Sequence, residues 1–323
     1  MTHLLNLTLS ELEQEITNMS WPHYKAVQIF QWLSKGVVSV NDMTNLSKKE
    51  RAILAAHYEW DRLALIKRQV STKDQTQKYL YRLHDKEMIE CVLMPYQHGL
   101  SACLSTQVGC AMGCAFCASG QEGLVRNLTA GEMVDQILSM AADVQKRVSH
   151  VVLMGSGEPL QNLANVVKLL KIINDPNGLQ ISLRHVTLST CGIVPGILEL
   201  AEYRFPINLA VSLHASSDEI RKRLMPVAYH TSIQKLLEAC DYYSQKTGRR
   251  VTYEYALIKG VNDSTEEIAR LASMLKGRLC HVNLIPVNSI EGTSFKAGEI
   301  SRTRQIKEML SNKGIPVTIR REM

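Results

Sequence analysis

Between residues 9 and 58 apolar side chains recur at helical spacing in three short stretches, 9–18, 24–33 and 48–58, with Ile29, Phe30 and Leu33 marking the second. They predict a small helical region. From about residue 66 to 95 the pattern turns extended, with strands expected over 77–83 and 87–94 around a turn at 84–86. Beyond Leu100, runs rich in β-formers at 101–108, 149–154, 185–190, 207–213, 251–258 and 280–287 alternate with helix-like stretches near 129–146, 162–174, 195–203, 231–246 and 264–276. A helix near 299–312 and a strand at 315–320 close the chain. Repeated strand-then-helix alternation predicts parallel βα units. Six units are too few for an eight-stranded barrel, so the expected class is α/β, a partial (βα)6 TIM-like barrel with its chemistry at the C-terminal ends of the strands. The organisation expected is an N-terminal helical accessory domain over 1–65, an extended connector over 66–95 and a barrel core over 96–323.

Composition narrows this picture in two ways. At 323 residues, 45% hydrophobic and 21% charged, the chain is long enough to fold around a sizeable core. Its first twenty residues mix Leu with Glu, Asn and Ser and show neither a signal core nor a membrane span, so a cytoplasmic protein is expected. Eight cysteines without a secretory signal point away from a disulfide framework and towards ligand or catalytic roles, because the cytosol keeps thiols reduced. The formal charge of +6 permits nucleic-acid binding without requiring it.

The densest chemistry is Cys110-Ala-Met-Gly-Cys114-Ala-Phe-Cys117, on a loop directly after the first barrel strand. Three thiolates can hold three irons of a 4Fe-4S cluster and leave the fourth open to a chelating ligand, whereas a closed structural site takes four protein ligands. S-adenosylmethionine (SAM) suits that open iron through its amino and carboxylate groups. A zinc site completed by Cys103 is the alternative on the residues alone. The second strand ends in Met154-Gly-Ser-Gly157-Glu158-Pro159, where glycines allow close backbone approach and the Glu offers a carboxylate; a simple tight turn also explains it. Later strands end in Ser189-Thr190, Ser212-Leu213-His214 and Asn288, which place hydroxyl, imidazole and amide groups on the same rim. Each of these, taken singly, also reads as a satisfied strand cap.

Taken together, the stretch from Cys103 to Gly131 with MGSGEPLQN, RHVTLST, SLHASSDEIRKRLMP, GVNDS and HVNLIPVN resembles the RlmN and Cfr family of radical SAM RNA methyltransferases, and within it the RlmN branch. The resemblance implies methylation of adenine carbon 2 in 23S rRNA and tRNA, with a 4Fe-4S cluster and SAM as cofactors. A cytosolic electron donor, no membrane and a monomer are also expected. The resemblance makes Cys110, Cys114 and Cys117 the cluster ligands and places Gly157, Glu158, Ser189, Ser212, Leu213, His214 and Asn288 around SAM. Glu90 corresponds to the family's proton acceptor and Cys103 to the thiol that helps release the product. A radical is needed because adenine C2, between two ring nitrogens, is too electron-poor to attack the methyl of SAM. RNA contacts are expected from Lys25, Lys48, Lys49, Arg51, Lys67 and Arg68 and from the basic segment Arg221 to Arg223. Rival readings are a radical SAM enzyme of another reaction on RNA and a zinc-stabilised RNA-binding protein.

In the family, a strand like Val317-Thr-Ile-Arg-Arg321 leads into a Gly-x-Asp-Ile-x-Ala-Ala-Cys-Gly-Gln-Leu segment whose cysteine carries the methyl group. The last residue here is Met323, and Cys191, Cys240 and Cys280 lie in other contexts. The expectation is a truncated sequence that binds cluster and SAM but does not complete methyl transfer.

Overall fold

Serine and threonine caps set where the first helices begin. In the computed structural model, which describes residues 2–120, 123–286 and 299–320, α1 (Leu9–Asn18) and α3 (Lys48–His57) each start from a capping box, Thr8 with Glu11 and Ser47 with Glu50. Between them α2 (Tyr24–Ser34) buries Ala26, Ile29, Phe30 and Leu33. Short parallel strands β1 (Thr2–His3) and β2 (Tyr58–Glu59) tie the two ends of this helical region together.

Next comes an antiparallel meander of β3 (Ala64–Val70), β4 (Gln77–Arg82), β5 (Met88–Tyr96) and β6 (Gly99–Cys103). Alternation buries Tyr79, Tyr81, Ile89, Cys91 and Leu93 on one side. Residues two apart share a face, so Glu90 lies on the face of Val92, and Val92 is the register partner of Cys103. Strands β7 (Gln107–Gly109) and β8 (Leu124–Asn127) bracket the loop that carries the three clustered cysteines.

Six strands of the barrel are each followed by a helix: β6 by α4 (Ala130–Val144), β9 (Val148–Leu153) by α5 (Leu163–Asn174), and β10 (Val186–Thr190) by α6 (Val194–Glu202). The series continues with β11 (Asn208–Ser212) before α7 (Asp218–Leu224) and α8 (Ile233–Thr247), then β12 (Val251–Leu257) before α9 (Thr265–Leu275). It closes with β13 (Cys280–Pro286) before α10 (Ile300–Ser311), and β14 (Val317–Ile319). This is the expected α/β class of a partial barrel with a helical N-terminal region. The chain divides into two compact units. One, Met1–Val108 with Arg126–Ser156 and Asn162–Val186, holds the helical region, the meander and β9, parallel to β6. The other, Gly109–Val125 with Gly157–Gln161 and Thr187–Met323, holds the cysteine loop and the parallel run from β10 to β14.

Three local expectations are corrected. The run 101–108 is two strands, because the backbone at 104–106 leaves the ladder for other partners: Ser105 N–H and C=O pair with the amide of Gln136 at 2.9 and 3.1 Å. Strand β3 and helix α7 lie in stretches that the pattern left unassigned. Among the described residues no helix is long and apolar enough to cross a membrane.

Candidate active site

The cysteine loop is held by backbone contacts at both ends. Gly109 adopts φ +72°, and a Cβ there would lie 2.0 Å from the Gly123 carbonyl oxygen, to which Cys110 N–H donates at 2.8 Å. Midway along the loop Ala115 N–H donates to the Leu224 carbonyl at 2.9 Å, fixing it to the end of α7. Met112, Cys114 and Phe116 pack against a buried cluster of Cys191, Leu224, Met225, Ala256 and Ile258, so the loop rests on an apolar bed.

That bed decides the chemistry of the thiols. Burial, reinforced by Cys117 and Cys110, pushes Cys114 up to about 12, and burial likewise raises Cys110. Cys110 and Cys114 are held towards the thiol form until a cation offsets the charge of the thiolate, which is what bound iron supplies. Among the described residues no three His, Cys, Asp or Glu side chains converge on a single ion. A cluster does not require it, because each thiolate binds its own iron. The donor set therefore fits an iron–sulfur cluster.

Beside the loop, Gly157 takes φ +108° and delivers Glu158, which is 3% exposed. Its Oε1 accepts the Leu160 N–H at 3.0 Å and its Oε2 the Cys191 N–H at 2.7 Å. Burial raises its pKa, while those N–H groups pull the other way. A cationic amino group arriving from a ligand would find a desolvated carboxylate already oriented.

The next strand ends are set by side chains that grip backbone. Half-buried Ser189 lies one residue before the end of β10, and Ser212 ends β11. Leu213 is fully buried, and His214 takes the left-handed φ of +54°. Its Nδ1 accepts the Ala256 N–H at 2.9 Å, which assigns the proton to Nε2, and burial holds the ring neutral with a pKa of about 3. Phe116, within the cysteine motif, meets the His214 ring edge-on with centroids 4.7 Å apart. Asn262, 0% exposed, donates to the carbonyls of His214 and Ala256, both at 2.7 Å, and accepts the Ile258 N–H at 2.8 Å. Asn288 lies outside the described residues.

The structure thus brings Cys110, Cys114, Cys117, Gly157, Glu158, Ser189, Ser212, Leu213 and His214 into one unit. Glu90 and Cys103 belong to the other unit, on the meander. Glu90 is exposed and pairs with Lys78 at 2.7 Å, and its carbonyl accepts the Ser105 hydroxyl at 2.7 Å.

Sequence reasoning missed Asn262 and Gln136 as supports, and it placed Arg221 wrongly. Arg221 is 0% exposed and donates to the carbonyls of Cys191, Ser212 and Leu213 at 2.7, 3.2 and 3.3 Å, so it is no surface contact for RNA. Lys25 is buried against Glu50, Arg51 donates to the Asn41 carbonyl and Arg68 pairs with Asp143. Lys48, Lys49 and Lys67 stay exposed. The signal for Asn262 was the GVNDS motif; a basic residue within a basic run carried none for Arg221.

Comparison with known proteins identifies the family. Residues 104–272 match the Radical SAM superfamily and residues 2–59 the Ribosomal RNA large subunit methyltransferase N-terminal domain. The chain is 54% identical over 320 residues to a probable dual-specificity RNA methyltransferase RlmN of Alkaliphilus oremlandii, covering 99% of this chain and 93% of that one. It is 49% identical to the protein of the same description in Clostridium novyi, covering 100% and 94%. Among solved structures, a radical SAM methyltransferase from Sphaerobacter thermophilus superposes with a TM-score of 0.94 at 41% identity, over 99% of this chain and 95% of that one.

Proposed function

Because the chain belongs to the RlmN family of radical SAM RNA methyltransferases, we propose that it serves methylation of adenine carbon 2 in 23S rRNA and tRNA by way of a methyl-cysteine. The observation that carries the reading is the cysteine loop, three thiols on an apolar bed beside the buried carboxylate of Glu158. Bound there, a 4Fe-4S cluster supplies the electron that cleaves the sulfonium of SAM.

The roles of this chain's residues follow. Cys110, Cys114 and Cys117 hold iron, and Glu158 takes the amino group of SAM while Gly157 lets the ligand approach the backbone. Ser189, Ser212, Leu213, His214 and Asn288 position the rest of SAM. The Phe116 ring on His214 couples the cluster loop to that rim. The apolar surroundings keep water from a reactive radical. Glu90 accepts the proton leaving C2, and the Cys103 thiol, on the same sheet face, resolves the covalent intermediate. Cys191, Cys240 and Cys280 are buried and carry no methyl group in this reading. Residues 1–65 form the RNA-binding accessory domain, joined by 66–95 to a radical SAM core over 96–323, with exposed Lys48, Lys49 and Lys67 meeting phosphates. The reading includes a cytoplasmic monomer fed by a cytosolic electron donor.

The test is anaerobic reconstitution, then incubation with SAM, reductant and a 23S rRNA fragment, followed by mass spectrometry of the digested nucleosides. Residues 1–323 joined to the family's cysteine segment are expected to yield 2-methyladenine, and residues 1–323 alone an SAM-perturbed cluster signal without product. An 8-methyl product, or unmodified RNA from both, refutes the reading.

A further inference from the structure

Arg221 is a buried cation that the roles above do not use. It is 0% exposed, and its hydrogen-bond partners are all carbonyl oxygens: Cys191 and Ser212 through Nη2, Leu213 through Nε. Its Nη1 is buried with no hydrogen-bond partner among the described residues. A guanidinium that gives up water for three carbonyl dipoles and leaves one nitrogen unsatisfied is costly, and carbonyls do not neutralise it. The cost is recovered where a net negative charge is placed within its field.

The surroundings identify that charge. Arg221 donates to the Cys191 carbonyl at 2.7 Å, Cys114 packs against the buried cluster that contains Cys191, and Ala115 N–H bonds at 2.9 Å to Leu224 on the same helix as Arg221, so the guanidinium lies behind the loop that holds the three thiols. Space is reserved for it: Gly192 takes φ +104°, and a Cβ there would come within 3.1 Å of Nη2.

We propose that Arg221 is a positioning residue whose fixed charge raises the reduction potential of the cluster held by Cys110, Cys114 and Cys117, while its fork sets the ends of β10 and β11 where SAM binds. The inference rests on the assignment of those three cysteines as ligands. A cluster on three thiolates is negative before it takes an electron and more so after, so a nearby buried cation favours the reduced form. Taking that cation away makes the cluster harder to reduce.

The test is an EPR-monitored redox titration of the reconstituted protein, wild type against Arg221→Gln, Arg221→Met and Arg221→Lys, with iron content and circular dichroism on each. Gln and Met are two neutral replacements of different packing, and an apolar stand-in is often tolerated where a buried charge has been. The neutral variants are expected to hold iron and shift the reduction equilibrium at least tenfold towards the oxidised form, a potential lower by about 59 mV for one electron. Lys is expected to keep the potential within about threefold of wild type. Neutral variants that fold, load iron and titrate like wild type overturn the proposal, and so does loss of fold in Lys, Gln and Met alike, which would leave Arg221 as a clamp only. A wild-type protein that assembles no cluster would instead refute the ligand assignment itself.

Discussion

Replacing Asn262 tests whether the rim of the site is held from behind. Its side chain is wholly buried and satisfies three backbone groups at once, the carbonyls of His214 and Ala256 and the N–H of Ile258. Asn262→Ala leaves all three without a partner. A buried polar group left unsatisfied costs about 1–3 kcal/mol, and water entering the space vacated offsets part of it, so the loss expected is about 3–5 kcal/mol. The His214 backbone, at φ +54°, has no intrinsic preference for its conformation and should relax, weakening SAM binding at least about tenfold, or about 1.4 kcal/mol. Asn262→Asp is the sharper variant. One carboxylate oxygen keeps the Ile258 N–H, but the other faces two carbonyl oxygens, so the folded state favours the protonated acid and its pKa rises above the unfolded value of about 3.9. The folded form then holds more protons, and stability present in acid is lost as pH rises through that folded pKa. Hydrogen exchange at the Ile258 amide and SAM titration read both effects. An Ala variant within about 0.5 kcal/mol of wild type, with Ile258 still protected and SAM affinity unchanged, would refute the reasoning.

Three further expectations concern charge and backbone. Burial lowers the His214 pKa from 6.5 to about 3, so the folded state binds fewer protons; stability is complete above about 6.5 and falls by about 4–5 kcal/mol as pH drops towards 3. Urea midpoints from pH 7 to 4.5 should fall less steeply in His214→Gln, and equal slopes would count against the buried neutral imidazole. Gly109→Ala forces a left-handed φ on a side chain, a strain of about 1–3 kcal/mol before its clash with the Gly123 carbonyl, and is expected to abolish iron loading; a full complement of iron would contradict it. In Arg62→Ala the largely buried Asp135 loses a 2.6 Å partner, and the carbonyls of Gly36 and Val37 lose theirs, for an expected 3–5 kcal/mol by chemical unfolding.

How much of this was legible depended on whether a residue's neighbours in sequence were also its partners. Helices α1, α3 and α9 are written as a hydroxyl cap before an amphipathic run, and their observed limits follow the pattern closely. Parallel strands β11 and β12 are buried almost throughout and read as apolar runs, whereas β10 and β13 alternate buried positions with half-buried Thr187 and Ser189 or His281 and Asn283, which is itself a strand period. Strand β3 shows neither: Leu65, Ile66 and Val70 are all exposed, so no alternation separates an inner from an outer face. Helix α7 spans only Asp218–Leu224 and is mostly charged, too short for a periodic signal. At the site, the cysteine spacing and the Gly-Glu-Pro turn were visible because their chemistry is local. Arg221, Asn262 and Gln136 were not, because each acts on backbone from 4 to 48 residues away and the sequence records no partner for them.

The meander also bears on how the protein reaches its native state. From β3 to β6 each strand pairs with the next through a short connection, so its contacts close small loops, whereas each parallel pairing from β10 onward must wait for a whole helix to be threaded between. Chains gain local contacts at lower entropic cost and sooner. The ribbon that carries Glu90 and Cys103 on one face is therefore expected to form early during synthesis, with the parallel strands added one βα unit at a time as the ribosome releases them.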